Sequence, residues 1–192
     1  IIETLKKLVD HFDNTMPVFK QIFDTEESSQ SYENRLQHTF LGGTVSEEIN
    51  NLAAIFVIHF KRLITQLETI NQNLKSVLDE HPLLERKQLI ENLYSFLGET
   101  LERADSNHSL WSSYAKADSK EKPPNARWLI LAEYEDNFDI SLYSSPILAA
   151  DNLRECLWNT CAGAVLTSAT LSALGNFEML KLKAGLPSHA SY

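Results

Sequence analysis

At 192 residues, with 43% hydrophobic and 22% charged side chains, the chain can bury a sizeable core and has the balance of a soluble globular protein. Its formal net charge of −9 excludes a surface that grips phosphates all over, so any contact with nucleic acid must rest on local patches. No apolar run approaches the roughly 20 residues that span a bilayer, and no basic-then-apolar leader opens the sequence.

Residues 1–23 place Ile1, Leu5, Leu8, Phe12, Met16, Phe19 and Phe23 at the three-and-four spacing of one helix face. Pro17 lies inside that pattern and predicts a kink near Thr15–Met16. Residues 24–43 are polar, end in Gly42-Gly43, and read as a loop with at most a helical turn. Helical periodicity already runs at Ile1, which is not Met, so the chain reads as a piece of a longer protein.

Thr44-Val45-Ser46-Glu47 has the form of a capping box, and a long helix is expected behind it. Its seam runs Val45, Ile49, Leu52, Phe56, Phe60, Leu63, Leu67, Ile70, Leu74 and Val77, with one four-residue stutter at Phe56–Phe60. Such a helix is about 50 Å long and needs partners along the seam. Pro82 closes it and suits the first turn of the next helix, which turns Leu83, Leu89 or Ile90, Leu93, Leu97 and Leu101 inward. A shorter helix is expected over 108–117, with Leu110, Trp111 and Tyr114. Long helices joined by short loops make a bundle.

Lys116 to Asn125 is a break in composition, a solvated connection ending in Pro123-Pro124. Beyond it the period becomes strand-like: Trp128, Ile130, Ala132 and Tyr134 alternate, as do Phe138, Ile140 and Leu142, with Glu135-Asp136-Asn137 as the turn. A helix over 148–159, a strand over 163–167 and a helix over 171–184 complete the chain, with Gly185 and Pro187 as the stop. The fold class is therefore α+β and mainly α: a long-helix bundle followed by a few strands and helices that belong to a larger sheet.

The most informative string is Gly163-Ala-Val-Leu-Thr-Ser-Ala-Thr-Leu171. Unalternating apolar residues suit a strand buried on both faces, and open α/β sheets put their chemistry at the carboxyl ends of such strands. Here small hydroxyls stand at that end. Helix capping by Thr170 or Ser172 is the plainer explanation of the hydroxyls alone. With its flanks, Leu174, Asn176, Phe177, Leu180 and Gly185-Leu186, the string resembles motif III of the DinG family of ATP-dependent DNA helicases, relatives of the XPD group. The likeness extends through Arg127-Trp128, Phe138 to Tyr143 and Asp151 to Trp158, and more loosely over 1–126.

The resemblance implies that residues 1–120 form a helical Arch-like insertion and 121–192 a segment of the first, RecA-like motor domain. It implies that Ser168 and Thr170 hydrogen-bond toward an acidic box and couple ATP hydrolysis to strand separation, with Thr167 and Ala169 flanking them. ATP and Mg²⁺ would be held by the intact parent, and an iron–sulfur cluster, if the parent has one, by cysteines upstream of this chain. The GxxxxGK[ST] loop is missing here, so the isolated chain is expected to be inactive. Asp79-Glu80-His81 imitates an acidic box but ends a helical seam rather than a strand.

For single-stranded or forked DNA the candidate cations are Lys61-Arg62, Arg86-Lys87, Lys120, Lys122 and Arg127, with Lys116 nearby and Trp111 or Trp128 as stacking platforms. Solvated surface and core packing are the plainer explanations of these side chains. The six histidines show no ligand spacing, and Cys156 and Cys161 read as free thiols of a reducing, cytoplasmic setting, so no metal is expected in this chain. The competing function is a helical protein-interaction module without catalysis; a free-standing enzyme lacks any nucleophile–base pair. The strands at 127–143 and 163–167 argue for the helicase segment, since a pure coiled-coil adaptor has no use for them.

Overall fold

In the computed structural model, residues 1–25, 30–32, 35–80, 86–116, 124–134, 137–167 and 176–186 are described. The order is α1 (Ile2–Thr25), β1 (Gln30–Tyr32), β2 (Arg35–Thr39), a 3₁₀ turn (Leu41–Gly43), α2 (Glu47–Glu80), α3 (Lys87–Ala115), β3 (Asn125–Tyr134), β4 (Asn137–Pro146), α4 (Ala150–Leu153) running into a π-helical turn (Arg154–Trp158), and α5 (Glu178–Ala184). This is the mainly helical α+β class that the periodicity predicts. Among the described residues, no helix is long and apolar enough to cross a membrane.

The chain divides into two compact units. The first holds Ile1–Asp118 with Ala126–Ser144, and the second holds Ser119–Asn125 with Ser145–Tyr192. The hairpin strands thus pack with the helices that precede them. Compactness cuts the chain differently from the expected division at 120/121.

In the first unit, α1, α2 and α3 meet over an aromatic core. Phe56 of α2 stacks on Trp111 of α3 with centroids 4.0 Å apart, Phe12 of α1 lies 4.5 Å from Phe56, and Phe19 lies 6.2 Å from Trp111. Ala53, Phe60, Leu63, Ile64 and Leu67 carry that core along α2. Ser46, rather than Thr44, caps α2: its Oγ accepts the Ile49 N–H at 3.3 Å and its carbonyl the Asn50 N–H. α1 runs through Pro17 as a single helix; Pro17 and Asp13, whose carbonyl lacks its i+4 partner, are both exposed. α3 is likewise continuous across 107–109, so the separate helix at 108–117 is its last part.

The sheet has the order β1-β2-β3-β4, with β1 antiparallel to β2 and β2 antiparallel to β3. β1 and β2 replace the expected loop. They escape notice because β2 is only five residues long and mostly polar, Arg35-Leu-Gln-His-Thr39. Leu129, Leu131 and Ile140 face the core from β3 and β4. Tyr114, from the last turn of α3, ties helices to sheet: its hydroxyl lies 2.7 Å from the Tyr143 carbonyl and 3.1 Å from that of Trp128. Its own carbonyl accepts the Asn50 amide at 2.6 Å. Burial pushes the Tyr114 phenol well above its ordinary value, against the smaller opposing pull of these bonds.

The second unit is differently built. Trp158 Nε1 donates to the Ala184 carbonyl at 2.6 Å, and Gly185 closes α5 in the left-handed region at φ 61°. A Cβ at Gly185 would run into the Ala150 carbonyl, so no other residue fits there. No side chain of α4, the π turn or α5 is buried. The expected strand at 163–167 is not a strand: its residues have no regular structure and Val165 is 89% exposed. A both-faces-buried strand exists only between neighbours, and the described strands all belong to the β1–β4 sheet.

The Trp111 indole N–H is buried without a hydrogen-bond partner. Trp111→Ala should cost about 3–5 kcal/mol in chemical denaturation, by cavity formation beside Phe56. Trp111→Phe should cost much less, since it also removes an unpaired buried donor worth about 1–3 kcal/mol. Equal losses would show that the indole edge is solvated after all.

Candidate functional site

The motif III residues Ser168, Ala169 and Thr170 lie outside the described residues. Thr167, directly before them, is exposed and has no regular structure. The apolar Val165 and Leu166 that lead into it are exposed as well. A continuous apolar run left bare is a surface awaiting a partner rather than a finished element.

The candidate cations do not share one groove. Lys61 and Arg62 are exposed near the middle of α2. Arg86 and Lys87 stand at the start of α3, beyond the far end of α2, and Lys87 pairs with Glu91 at 3.7 Å. From Arg62 to Glu80 runs about 27 Å of helix. Lys116 is exposed at the end of α3, whereas Lys120 and Lys122 fall outside the described residues. Arg127 corrects the expectation placed on it. It is 2% exposed, and its guanidinium donates to the Gly43 carbonyl at 2.6 Å, anchoring the 3₁₀ turn to β3. Burying an arginine requires such partners, and here Arg127 is held in the interior rather than offered at the surface. Trp111 is consumed by the core, while Trp128 is half-buried on the sheet.

Folding adds residues that single positions could not announce. Lys7 and Glu3 of α1 pair at 2.9 Å, and Lys7 first, then Arg62, holds the exposed Glu3 carboxyl below its ordinary value. His11 and His59 approach edge to face at 6.4 Å, and His11 Nε2 lies 2.9 Å from the Leu52 carbonyl. His59 is held below its ordinary value by desolvation first, then by His11, Lys7 and Arg62. Arg62 thus joins cations 55 positions away at Lys7 (62 less 7), a separation that hides the patch from a linear reading.

Cys156 is a free, exposed thiol and Cys161 a free, half-buried one. Among the described residues, no three His, Cys, Asp or Glu side chains converge to hold a metal ion. The sequence contains no GxxxxGK[ST] string.

Among the described residues, the first unit is a three-helix bundle on a small antiparallel sheet and the second holds short helices whose side chains are not buried. No protein-family model matches the chain. It is similar to the ATP-dependent DNA helicase DinG of Photobacterium profundum, 28% identical over 126 residues, which cover 66% of this chain and 18% of that protein. It is also similar to the ATP-dependent DNA helicase DinG of Escherichia coli K12, 23% identical over 154 residues, covering 80% of this chain and 21% of that protein. The chain therefore spans about a fifth of the length of the curated relatives it matches.

The patch around His59 gives a pH prediction. A folded-state value below the ordinary 6.5 means that the unfolded chain takes up the proton first. Stability from His59 should be fully present above that value and be lost as pH falls through the folded-state value. NMR titration should find His59 below an ordinary imidazole, with Lys7→Gln plus Arg62→Gln moving it only part of the way back, because desolvation remains. An unmoved His59 in the double variant would remove these cations from the account.

Proposed function

We propose that this chain is a segment of a DinG-like ATP-dependent DNA helicase, its helices serving as the insertion beside the motor and its last part carrying motif III. The observation that supports this best is the string Gly163 to Leu171 in a chain similar to two DinG helicases, the described part of which, residues 163–167, is exposed. A motor-domain strand taken without its neighbouring strands has this appearance.

In this reading the intact protein supplies the phosphate loop and the acidic box and holds ATP and Mg²⁺. Ser168 and Thr170 report the nucleotide state to the part that grips single-stranded DNA, with 5′→3′ polarity taken from the resemblance. Short hydroxyl side chains carry a donor and two acceptors and exchange partners at small conformational cost. Thr167 and Ala169 set the backbone around them. The helices guide the displaced strand, with Lys61, Arg62, Arg86 and Lys87 offering separate phosphate contacts.

A second reading, a helical protein-interaction module, draws support from the open end of the α2/α3 pair, where Leu89 and Leu93 are exposed and Phe96 is 67% exposed. It leaves the Thr-Ser-Ala-Thr string without a task.

The purified 192-residue chain should hydrolyse ATP no faster than buffer. A clear rate, abolished by Ser168→Ala, would refute the assignment of the nucleotide site to other parts of the parent. In the intact protein, Ser168→Ala with Thr170→Ala should depress unwinding far more than DNA-stimulated hydrolysis. The thermal midpoint should move little, as for hydroxyls worth about 1 kcal/mol each. A lowered midpoint with an unchanged ratio of unwinding to hydrolysis would make Thr170 a helix cap and end the motif III assignment.

A further inference from the structure

Side chains alternate across a sheet, so each strand of the first unit offers one face to the helices and one away from them. On β3 the residues turned to the core are Arg127, Leu129 and Leu131, all buried. Trp128, Ile130 and Ala132 therefore occupy the opposite face. Register extends that face onto β2, where Thr39 pairs with Trp128, Gln37 with Ile130 and Arg35 with Ala132. All three β2 residues are exposed. On β4, Ile140 is buried toward the helices, which leaves Asp139, Ser141 and Tyr143 on the outer side.

One feature of this face is not explained by core formation. The rings of Trp128 and Tyr143 lie parallel, with an interplanar angle of 2° and centroids 5.1 Å apart, on strands at the open side of the sheet. Tyr143 is 39% exposed. Beside the pair stand the Thr39 hydroxyl and the Gln37 amide, which donates to it at 3.3 Å. Arg35 follows four residues back along β2, about 13 Å from Thr39. A flat aromatic platform, side chains able to bond base edges, and a guanidinium further along the strand are the requirements for holding a single strand by its bases.

We infer that the outer face of the β2–β3–β4 sheet is a binding surface for single-stranded DNA, with a base stacked on the Tyr143–Trp128 pair and a phosphate drawn to Arg35. The choice of DNA over RNA rests on the helicase reading; the stacking site does not. Asp139 shares this outer face and Arg35 is its one described cation on β2, so the surface holds a strand by stacking more than by cations. Its salt dependence is accordingly shallow, near the slope of about 0.7 expected for one phosphate neutralised on a single strand.

The test uses the whole 192-residue chain with a short oligothymidylate as probe. Binding should quench tryptophan fluorescence, and Trp128→Phe should remove most of the quench, since Trp111 is sealed in the core. Tyr143→Ser should weaken binding roughly five- to hundred-fold, the range for losing a stacked base, whereas Tyr143→Phe should retain it. Because Tyr143 meets Tyr114 through its backbone carbonyl, both variants keep that anchor; Tyr143→Phe should keep the thermal midpoint, and Tyr143→Ser should lower it only modestly through the lost stack on Trp128. Absent quenching at saturation, or Tyr143→Ser binding as well as the unmodified chain, would overturn the inference. Should Lys61→Ala with Arg62→Ala abolish binding while Tyr143→Ser does not, the face on α2 is the site and this one is not. That result leaves the helicase reading standing, since the latter is decided by the ratio of unwinding to hydrolysis.

Discussion

The first unit depends on the last turn of α3. Trp111 and Tyr114 sit three positions apart, so both point into the same interior. Trp111 meets Phe56 and Phe12 and closes the three-helix junction. Tyr114 reaches on to the backbone of β3 and β4. Its hydroxyl has one proton for two carbonyls, so at any instant one of them receives a hydrogen bond and the other only its dipole. That arrangement is tolerable because both carbonyls are also strand groups. It fixes the sheet against the bundle without a loop or a disulfide.

Around this anchor the sequence was most readable where the pattern was long. The middle of the α1 and α2 seams is buried as its spacing predicts, whereas Leu5, Ile70 and Val77 are exposed, and β3 buries Leu129 and Leu131 rather than the expected row of Trp128, Ile130 and Tyr134. What misled were local signals that context overrode. Pro17 suggested a kink or a break, yet α1 continues through it as one helix, with Asp13, whose carbonyl lacks its i+4 partner, exposed. Thr44 and Ser46 both suit a cap, and only the geometry at Ile49 decides between them. The separate short helix expected over 108–117 is instead the last part of α3, which runs unbroken to Ala115.

The functional residues divided along the same line. Arg127 looked available because a linear string cannot say which side of a strand is covered, and alternation put its side chain under Gly43. Lys7, His59 and Arg35 were passed over because their relevance arises only from packing partners far away in sequence. The strand ending at Thr167 could not form here, since its stability is a property of neighbouring strands rather than of Ala164, Val165 and Leu166 themselves.

Thr4 donates to Gln66 at 3.0 Å, which fixes how far α1 reaches along α2. Past that point fourteen residues of α2 (67 to 80), about 21 Å, and the opening turns of α3 continue as a pair without a third helix. The bundle is thus stiff at one end and compliant at the other. Bending resistance of packed rods grows steeply with cross-section, so thermal strain concentrates where three helices become two. A force applied at the tip, around Glu80 and Arg86, would swing the pair about Gln66 and leave the aromatic junction undisturbed. Such a beam transmits displacement outward while shielding the sheet from it, a mechanical asymmetry set by the contact between Thr4 and Gln66.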